Sequence, residues 1–258
     1  MASVTVTALA IAPVKAMRLR AVDAIEVGEL GAAGDRRFYV VDDRGRMVNG
    51  KQFAALQTIV PDYDPGTGEL TLTFPDGIPP ATGVVEHGEP VTTRFYRRTD
   101  EIPALRGPWS DAVSEFVGAP LRLVAAETGV DRGRDGATSL ISRASLRRLA
   151  EEAGVDAIDA RRFRMLIEID GVAAHEEDRW VDRRLRVGEA LLRMRGHVGR
   201  CLITSRDPDS ARADLATLDL LRAYRSEEES TEPLPFGVYG EVLEGGAVRL
   251  GDPVALDE

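Results

Sequence analysis

The feature that most constrains this chain is its punctuation: short apolar runs, many of them alternating, each cut off by proline or glycine. Val4–Ile11 (V-T-V-T-A-L-A-I) has the period of two of a half-buried strand, and Pro13 ends it. Ala24–Val27 is a short second strand. Arg37–Asp42, the turn Asp43-Arg44-Gly45-Arg46 and Met47-Val48 read as a hairpin. Leu56–Val60 and Leu70–Phe74 flank Asp64-Pro65-Gly66-Thr67-Gly68, which predicts a second hairpin closed by Pro75; Val91–Tyr96 is a further strand. Strands do not alternate regularly with helices, which argues against a doubly wound sheet.

Residues 99–109, with Pro103, Gly107 and Pro108, read as a connection between a first unit, residues 1–98, and a second, residues 99–258. In the second, Ser110 is predicted to cap a helix whose apolar face is Ala112, Val113, Phe116 and Val117. Leu121–Ala126 is a strand. Ser142 opens another helix, with Leu146, Leu149 and Ala150 as its stripe and Gly154 as its stop. Phe163–Ile169, Ala190–Met194, Val238–Leu243 and Val248–Leu250 are predicted strands. Asp207-Pro208-Asp209 is a turn, and Leu215–Tyr224 a helix. The fold class is therefore mainly β with a few helices (α+β), with β-barrel-like packing.

The chain has 258 residues, enough to bury a core in one large or two small domains. Its net charge of −10 argues against nonspecific nucleic-acid binding, and no apolar stretch is long enough for a membrane-spanning helix. The start lacks the basic region and cleavage pattern of a secretory signal, so a cytoplasmic protein is expected. A single cysteine excludes an internal disulfide framework, a cysteine-rich zinc site and an iron–sulfur cluster held by this chain alone. His87, His175 and His197 match no metal-ligand spacing and read as structural or surface residues, with His197 near a pocket.

That cysteine, Cys201, lies in His197-Val198-Gly199-Arg200-Cys201. A lone cysteine is most often a small buried hydrophobe. Here Arg195, Arg200 and Arg206 surround it in sequence, and a positive setting favours the thiolate that a soft metal or sulfur transfer requires. Asp35-Arg36-Arg37-Phe38 and Asp159-Ala160-Arg161-Arg162-Phe163-Arg164 set arginines beside aromatic residues, and any one of them alone reads as an exposed strand edge. Together with Lys15 they suggest a pocket for an anionic ligand. Lys15 and Lys51 are the only lysines among 33 basic residues.

In this order, the motifs resemble the MOSC family, named for the molybdenum-cofactor sulfurase C-terminal domain, and within it the amidoxime-reducing components and their bacterial relatives. The resemblance runs through Pro13-Val14-Lys15, Gly34-Asp35-Arg36, Asn49-Gly50-Lys51-Gln52, Arg162-Phe163-Arg164 and Glu176-Glu177-Asp178-Arg179-Trp180. It continues through Arg200-Cys201, Asp207-Pro208-Asp209, Thr217-Leu218, Tyr224-Arg225, Phe236-Gly237-Val238-Tyr239 and Gly251-Asp252-Pro253-Val254. It implies a β-barrel MOSC domain behind a smaller N-terminal β domain, and a molybdopterin-type molybdenum cofactor. It also implies Cys201 as catalytic residue and thiolate ligand to the metal, with Lys15, Arg36, Arg164 and Arg200 as cofactor-binding residues.

The activity implied is reduction of N-hydroxylated or other N-oxygenated small molecules, with electrons from an external ferredoxin, flavin or haem partner. A sulfur carrier working through a Cys201 persulfide is the alternative, and a non-catalytic pterin- or anion-binding module the third reading. Met165-Leu166, Val198 and Lys51 depart from the family's Pro-Asn, its upstream cysteine and its T-A-R-Q arginine.

Overall fold

The computed structural model describes residues 3–96, 98–126 and 132–257. The predicted first strand is β1 (Thr5–Ile11), and its buried residues are Val6, Leu9 and Ile11. A bulge between Val6 and Ala8 accounts for the change of parity: one inserted residue swaps the faces of everything beyond it. β1 does not stay with its neighbours in sequence. It pairs antiparallel with β14 (Ile167–Asp170) on one side and with β2 (Arg20–Val22) on the other.

β1, β2 and β14 belong to an eight-stranded sheet, completed by β13 (Thr138–Ser142), β15 (Arg184–Val187), β16 (Ala190–Gly199), β17 (Pro235–Glu244) and β19 (Val254–Asp257). The order is β19-β15-β16-β17-β13-β14-β1-β2. The pair β13 and β14 is parallel, and helix α2 (Arg143–Ala153) lies in the connection that parallel pairing demands. The caps of α2 are those predicted: the Ser142 hydroxyl accepts the Ser145 N–H at 3.1 Å, and Gly154 closes the helix in the left-handed region.

The expected barrel does not close among the described residues; the sheet is an open ladder with β19 and β2 at its ends. What meets the start of β1 is the turn before β19 and the first residue of that strand, without a continuous ladder. Val6 N–H donates to Asp252 O, Gly251 N–H to Val6 O and Val254 N–H to Val4 O, each at 2.9 Å, with one isolated bridge between Thr5 and Pro253.

A second, five-stranded sheet runs β10 (Glu86–Phe95), β11 (Arg98–Arg106), β12 (Leu121–Ala125), β5 (Phe38–Asp42) and β6 (Met47–Val48). The boundary expected at 98/99 falls at the start of β11, just after Arg98, and β10, β11 and β12 share this sheet with β5 and β6. Residues 99–109, expected as a connection, form most of β11 instead. Pro103 is tolerated there because it faces Pro90, beside a register shift in the partner strand where the ladder is already interrupted. Two three-stranded sheets complete the architecture: β18 (Gly246–Arg249), β3 (Ala24–Gly28) and β4 (Gly31–Ala32), and β7 (Val60–Asp64), β8 (Glu69–Thr73) and β9 (Ala81–Val84).

Other expectations shift locally. Leu56–Val60 is a 3-10 turn, Ala54–Thr58, followed by β7, because Leu56 and Ile59 point inward at a spacing of three. Helix α1 (Trp109–Val117) begins after Pro108 rather than Ser110, whose hydroxyl instead accepts the Leu123 N–H at 3.0 Å. The Phe163–Ile169 strand starts only at Ile167, since Asp159 caps a 3-10 turn over Ala160–Phe163 and Arg164 turns left-handed. The Leu215–Tyr224 helix is α3 (Thr217–Arg225).

One apolar core, including Leu9, Ile11, Ile167 and Val238, lies against the eight-stranded sheet. Another, including Val14, Phe38, Leu56 and Trp109, lies among the strands of the N-terminal part. Ile11 belongs to the first and Val14 to the second, so Lys15 sits at the seam. No helix among the described residues is long and apolar enough to cross a membrane.

Candidate functional site

At that seam opens a cavity of about 480 Å³. Lys15, Arg36, Arg164, Arg200 and Cys201, the residues singled out in sequence, all line it. Their convergence follows from the pairing of β1 with β14, which carries Lys15 beyond the end of one strand and Arg164 just ahead of the other. The charged lining is basic, with Lys51, Arg132 and Arg162 added, apart from Asp35 and Glu232.

The arginines on the inner wall are fixed by the backbone. Arg36 adopts a left-handed conformation; its Nη2 donates to Arg164 O at 2.9 Å and its Nη1 pairs with Asp35. Asp35 in turn accepts the Ala12 N–H at 2.7 Å, which ties the end of β1 to the site. Arg200 donates from Nη1 to Phe163 O and from Nε to Phe236 O, both at 2.8 Å, and Nη2 lies 3.1 Å from the Met165 sulfur. Its donors are thus spent on the chain. Burial pushes this guanidinium down to about 9, with Cys201 opposing the shift and Arg132 adding to it. It remains a partly buried positive charge next to Cys201. Arg162 is held by both oxygens of Asp214 at 2.7 Å.

Both lysines line the same cavity. Lys15 is half-buried, with Nζ 5.5 Å from the centroid of Phe95; Lys51 is exposed on the loop after β6. Cys201 is exposed as well and precedes a 3-10 turn, Leu202–Ser205. Its carbonyl accepts the Thr204 N–H and hydroxyl, and the Thr204 carbonyl accepts the buried Thr217 hydroxyl at 2.9 Å, which anchors the cysteine loop to the start of α3. No cluster of three or more His, Cys, Asp or Glu side chains among the described residues is arranged to hold a metal ion.

The MOSC domain family matches residues 127–255, and the MOSC N-terminal beta barrel domain family matches residues 3–119. The chain belongs to the MOSC family. It is 27% identical to mitochondrial amidoxime-reducing component 1 of Xenopus laevis over 295 residues, covering 96% of this chain and 81% of that protein. It is 38% identical to human mitochondrial amidoxime reducing component 2 over 98 residues, covering 36% of this chain and 29% of that protein. The crystal structure of the YUAD protein from Bacillus subtilis covers 98% of this chain and 94% of its own, at 13% identity and a TM-score of 0.45.

Several motifs of this MOSC chain turn out to build the frame of the site. Glu177 of the Glu176–Trp180 segment is fully buried; its Oε1 accepts the Ser142 N–H at 3.0 Å and the Ser145 hydroxyl at 2.7 Å. Asp207 accepts from Ser210 and Asp209 and shapes its turn. Gly237 is required: at φ +82, a Cβ would lie 2.8 Å from both Leu140 O and Met165 Cε. Met165, a departure from the family pattern, gives its sulfur to Arg200. His197 is buried on β16, accepts the Thr231 N–H at 3.2 Å and does not line the cavity, whereas His87 is exposed on β10.

The sequence reading missed Gln57, Arg132, Glu232 and Tyr239 in the lining. Of these, only Tyr239 lay in a motif, Phe236-Gly237-Val238-Tyr239. The others come from separate segments that only the fold brings together.

Proposed function

We propose that this chain is a molybdenum-cofactor-dependent oxidoreductase of N-hydroxylated or other N-oxygenated compounds, with Cys201 as its thiolate ligand to molybdenum. The observation that carries the reading is an exposed soft thiol in the same cavity as Lys15, Arg36, Lys51 and Arg164. A molybdopterin-type cofactor presents a phosphate and a polar heterocycle to such cations, and a metal to the thiolate. The cavity falls in the size range of cofactor sites. Its wall also holds a buried acceptor, Gln57 Oε1, that has no hydrogen-bond partner among the described residues and suits a heterocycle N–H. The names of the amidoxime-reducing relatives support the substrate class.

When bound, the cofactor supplies a metal that cycles by two electrons, which no side chain here can do. The chain supplies position and charge. Lys15 and Lys51 offer compact ammonium groups to an anion, Arg36 fixes the Arg164 backbone, and Arg200 holds positive charge beside the Cys201 sulfur. Breaking N–O to give N–H and water consumes two electrons and two protons; the electrons come from an external ferredoxin, flavin or haem partner.

The test is molybdenum content and amidoxime reduction for wild type and Cys201→Ser, both purified from a host that makes the cofactor. The expected result is near-stoichiometric molybdenum and activity in the wild type, both lost in the variant at an unchanged unfolding midpoint. Folded wild-type protein without molybdenum would overturn the reading. The exposure of Cys201 would then favour a sulfur carrier, read as a mass increase of ~32 Da on that residue.

A further inference from the structure

Beside Cys201 the cavity wall carries an ion pair with the geometry of a recognition site. Glu232 Oε1 accepts both the Nε–H and the Nη2–H of Arg132, at 3.2 and 2.6 Å. The Arg132 guanidinium carbon lies 4.5 Å from the centroid of Tyr239. All three residues line the cavity. Glu232 is also close to the cysteine segment: a Cβ on Gly199, two residues before Cys201, would lie 2.7 Å from Glu232 Oε2. The other carboxylate of the lining, Asp35, is committed to the Ala12 N–H and Arg36 and is nearly buried. Glu232 is 34% exposed and Arg132 29%, so the pair is open to the cavity.

A carboxylate set against an aromatic face recognises planar, delocalised cations, through charge-assisted N–H···O bonds and attraction to the ring. Arg132 is such a cation, already seated there. We propose that Glu232 and the face of Tyr239 form a subsite for amidine- or guanidine-type groups, with Arg132 as its built-in competitor. The role of this subsite in substrate selection rests on the reductase reading; the subsite itself rests on these three side chains. An N-hydroxyamidine presents its NH₂ group to the Glu232 carboxylate. Reduction leaves a strongly basic amidine that is cationic at neutral pH, and the return of the Arg132 guanidinium displaces it. In an otherwise basic cavity, Glu232 thereby sets a preference for neutral or cationic nitrogenous substrates over anionic ones.

The experiment is calorimetric titration of the full chain with benzamidine, using neutral benzamide as the shape control. Glu232→Gln, which keeps the shape and removes the charge, is expected to weaken benzamidine about tenfold or more, and Arg132→Ala to tighten it about tenfold, the scale of one charge-assisted hydrogen bond. Benzamide binding changes in neither variant. Arg132→Gln reads the same gain if Arg132→Ala lowers the melting temperature. Equal benzamidine affinity in wild type and Glu232→Gln, or no gain in either Arg132 variant, overturns the subsite. Molybdenum content and amidoxime reduction are measured on the same samples. Glu232-dependent binding in a protein that reduces no N-oxygenated compound removes the reductase reading and leaves the subsite. An active, molybdenum-loaded protein indifferent to Glu232 does the reverse.

Discussion

The two walls of the cavity use positive charge in opposite ways. On the inner wall, Arg36 and Arg200 spend their donors on backbone carbonyls, so the guanidinium fork serves as a strut that also happens to be charged. On the outer wall stand Lys15 and Lys51, compact ammonium groups in place of a planar fork, together with Cys201 and Glu232. In a chain of 31 arginines and two lysines, both lysines line this one cavity. The contrast separates residues that give the site its shape from those that meet what enters it, and substitutions on the two walls are expected to fail differently.

The largest effect on stability is expected on the inner wall. Arg36→Ala leaves the Asp35 carboxylate, 4% exposed, without its partner and frees the Arg164 carbonyl. Breaking a buried pair in this way costs about 3 kcal/mol, which lowers the melting temperature by roughly 6–12 °C in a chain of this size. A loss below about 1 kcal/mol by denaturant unfolding would show that Arg36 is not a strut.

Next comes the packing behind Phe236, whose carbonyl Arg200 holds. The His175 ring lies 5.8 Å from Phe236 and 5.7 Å from Tyr224. Burial, helped by Arg225 and Arg148, pushes this imidazole down to about 4. The unfolded chain takes up that proton near pH 6.5, so the His175 contribution is complete above that value and is lost as pH falls toward 4. Allowing for partial exposure, the loss is about 1–2 kcal/mol. Burial raises the neighbouring Glu177 and Asp178 carboxyls, which tilts stability the other way with pH. The measured quantity is therefore the difference in slope between wild type and His175→Asn across pH 4–6.5. Parallel curves would refute the assignment.

The outer wall should respond in binding rather than in stability. Lys51→Ala is expected to change unfolding by no more than about 0.5 kcal/mol, while weakening inorganic phosphate by about threefold to tenfold in a titration. Unchanged phosphate affinity would erase the distinction between the walls. Arg147→Ala, which removes an exposed pair with Asp170 far from the cavity, sets the floor at about 0.5 kcal/mol or less and leaves phosphate binding untouched.

Local chemistry made part of this legible in the sequence. The alternation of Val4–Ile11 marked β1, and Ser142 with Gly154 marked both ends of α2, because those patterns act within a turn or two of chain. β11 was hidden by Pro103, whose facing Pro90 lies in another strand. The 3-10 turn at Ala54–Thr58 imitated a strand because a short apolar run carries no clear period. Cys201 and the Lys15, Arg36, Arg164 set could be named through motifs in order. The Arg132–Glu232 pair could not, since the fold alone joins segments so far apart in sequence.

The placement of β1 also bears on how the protein is made. Its partner β14 follows it from the ribosome about 160 residues later, some 8–30 s at ordinary rates of synthesis. Until then Thr5–Ile11, a β-prone run without a single charge, presents the edge that β14 covers to any other nascent chain, while β2 can cover the opposite edge at once. The strand that delivers Lys15 to the cavity is thus also a period of exposure during translation, when sheltering by a chaperone matters most for yield.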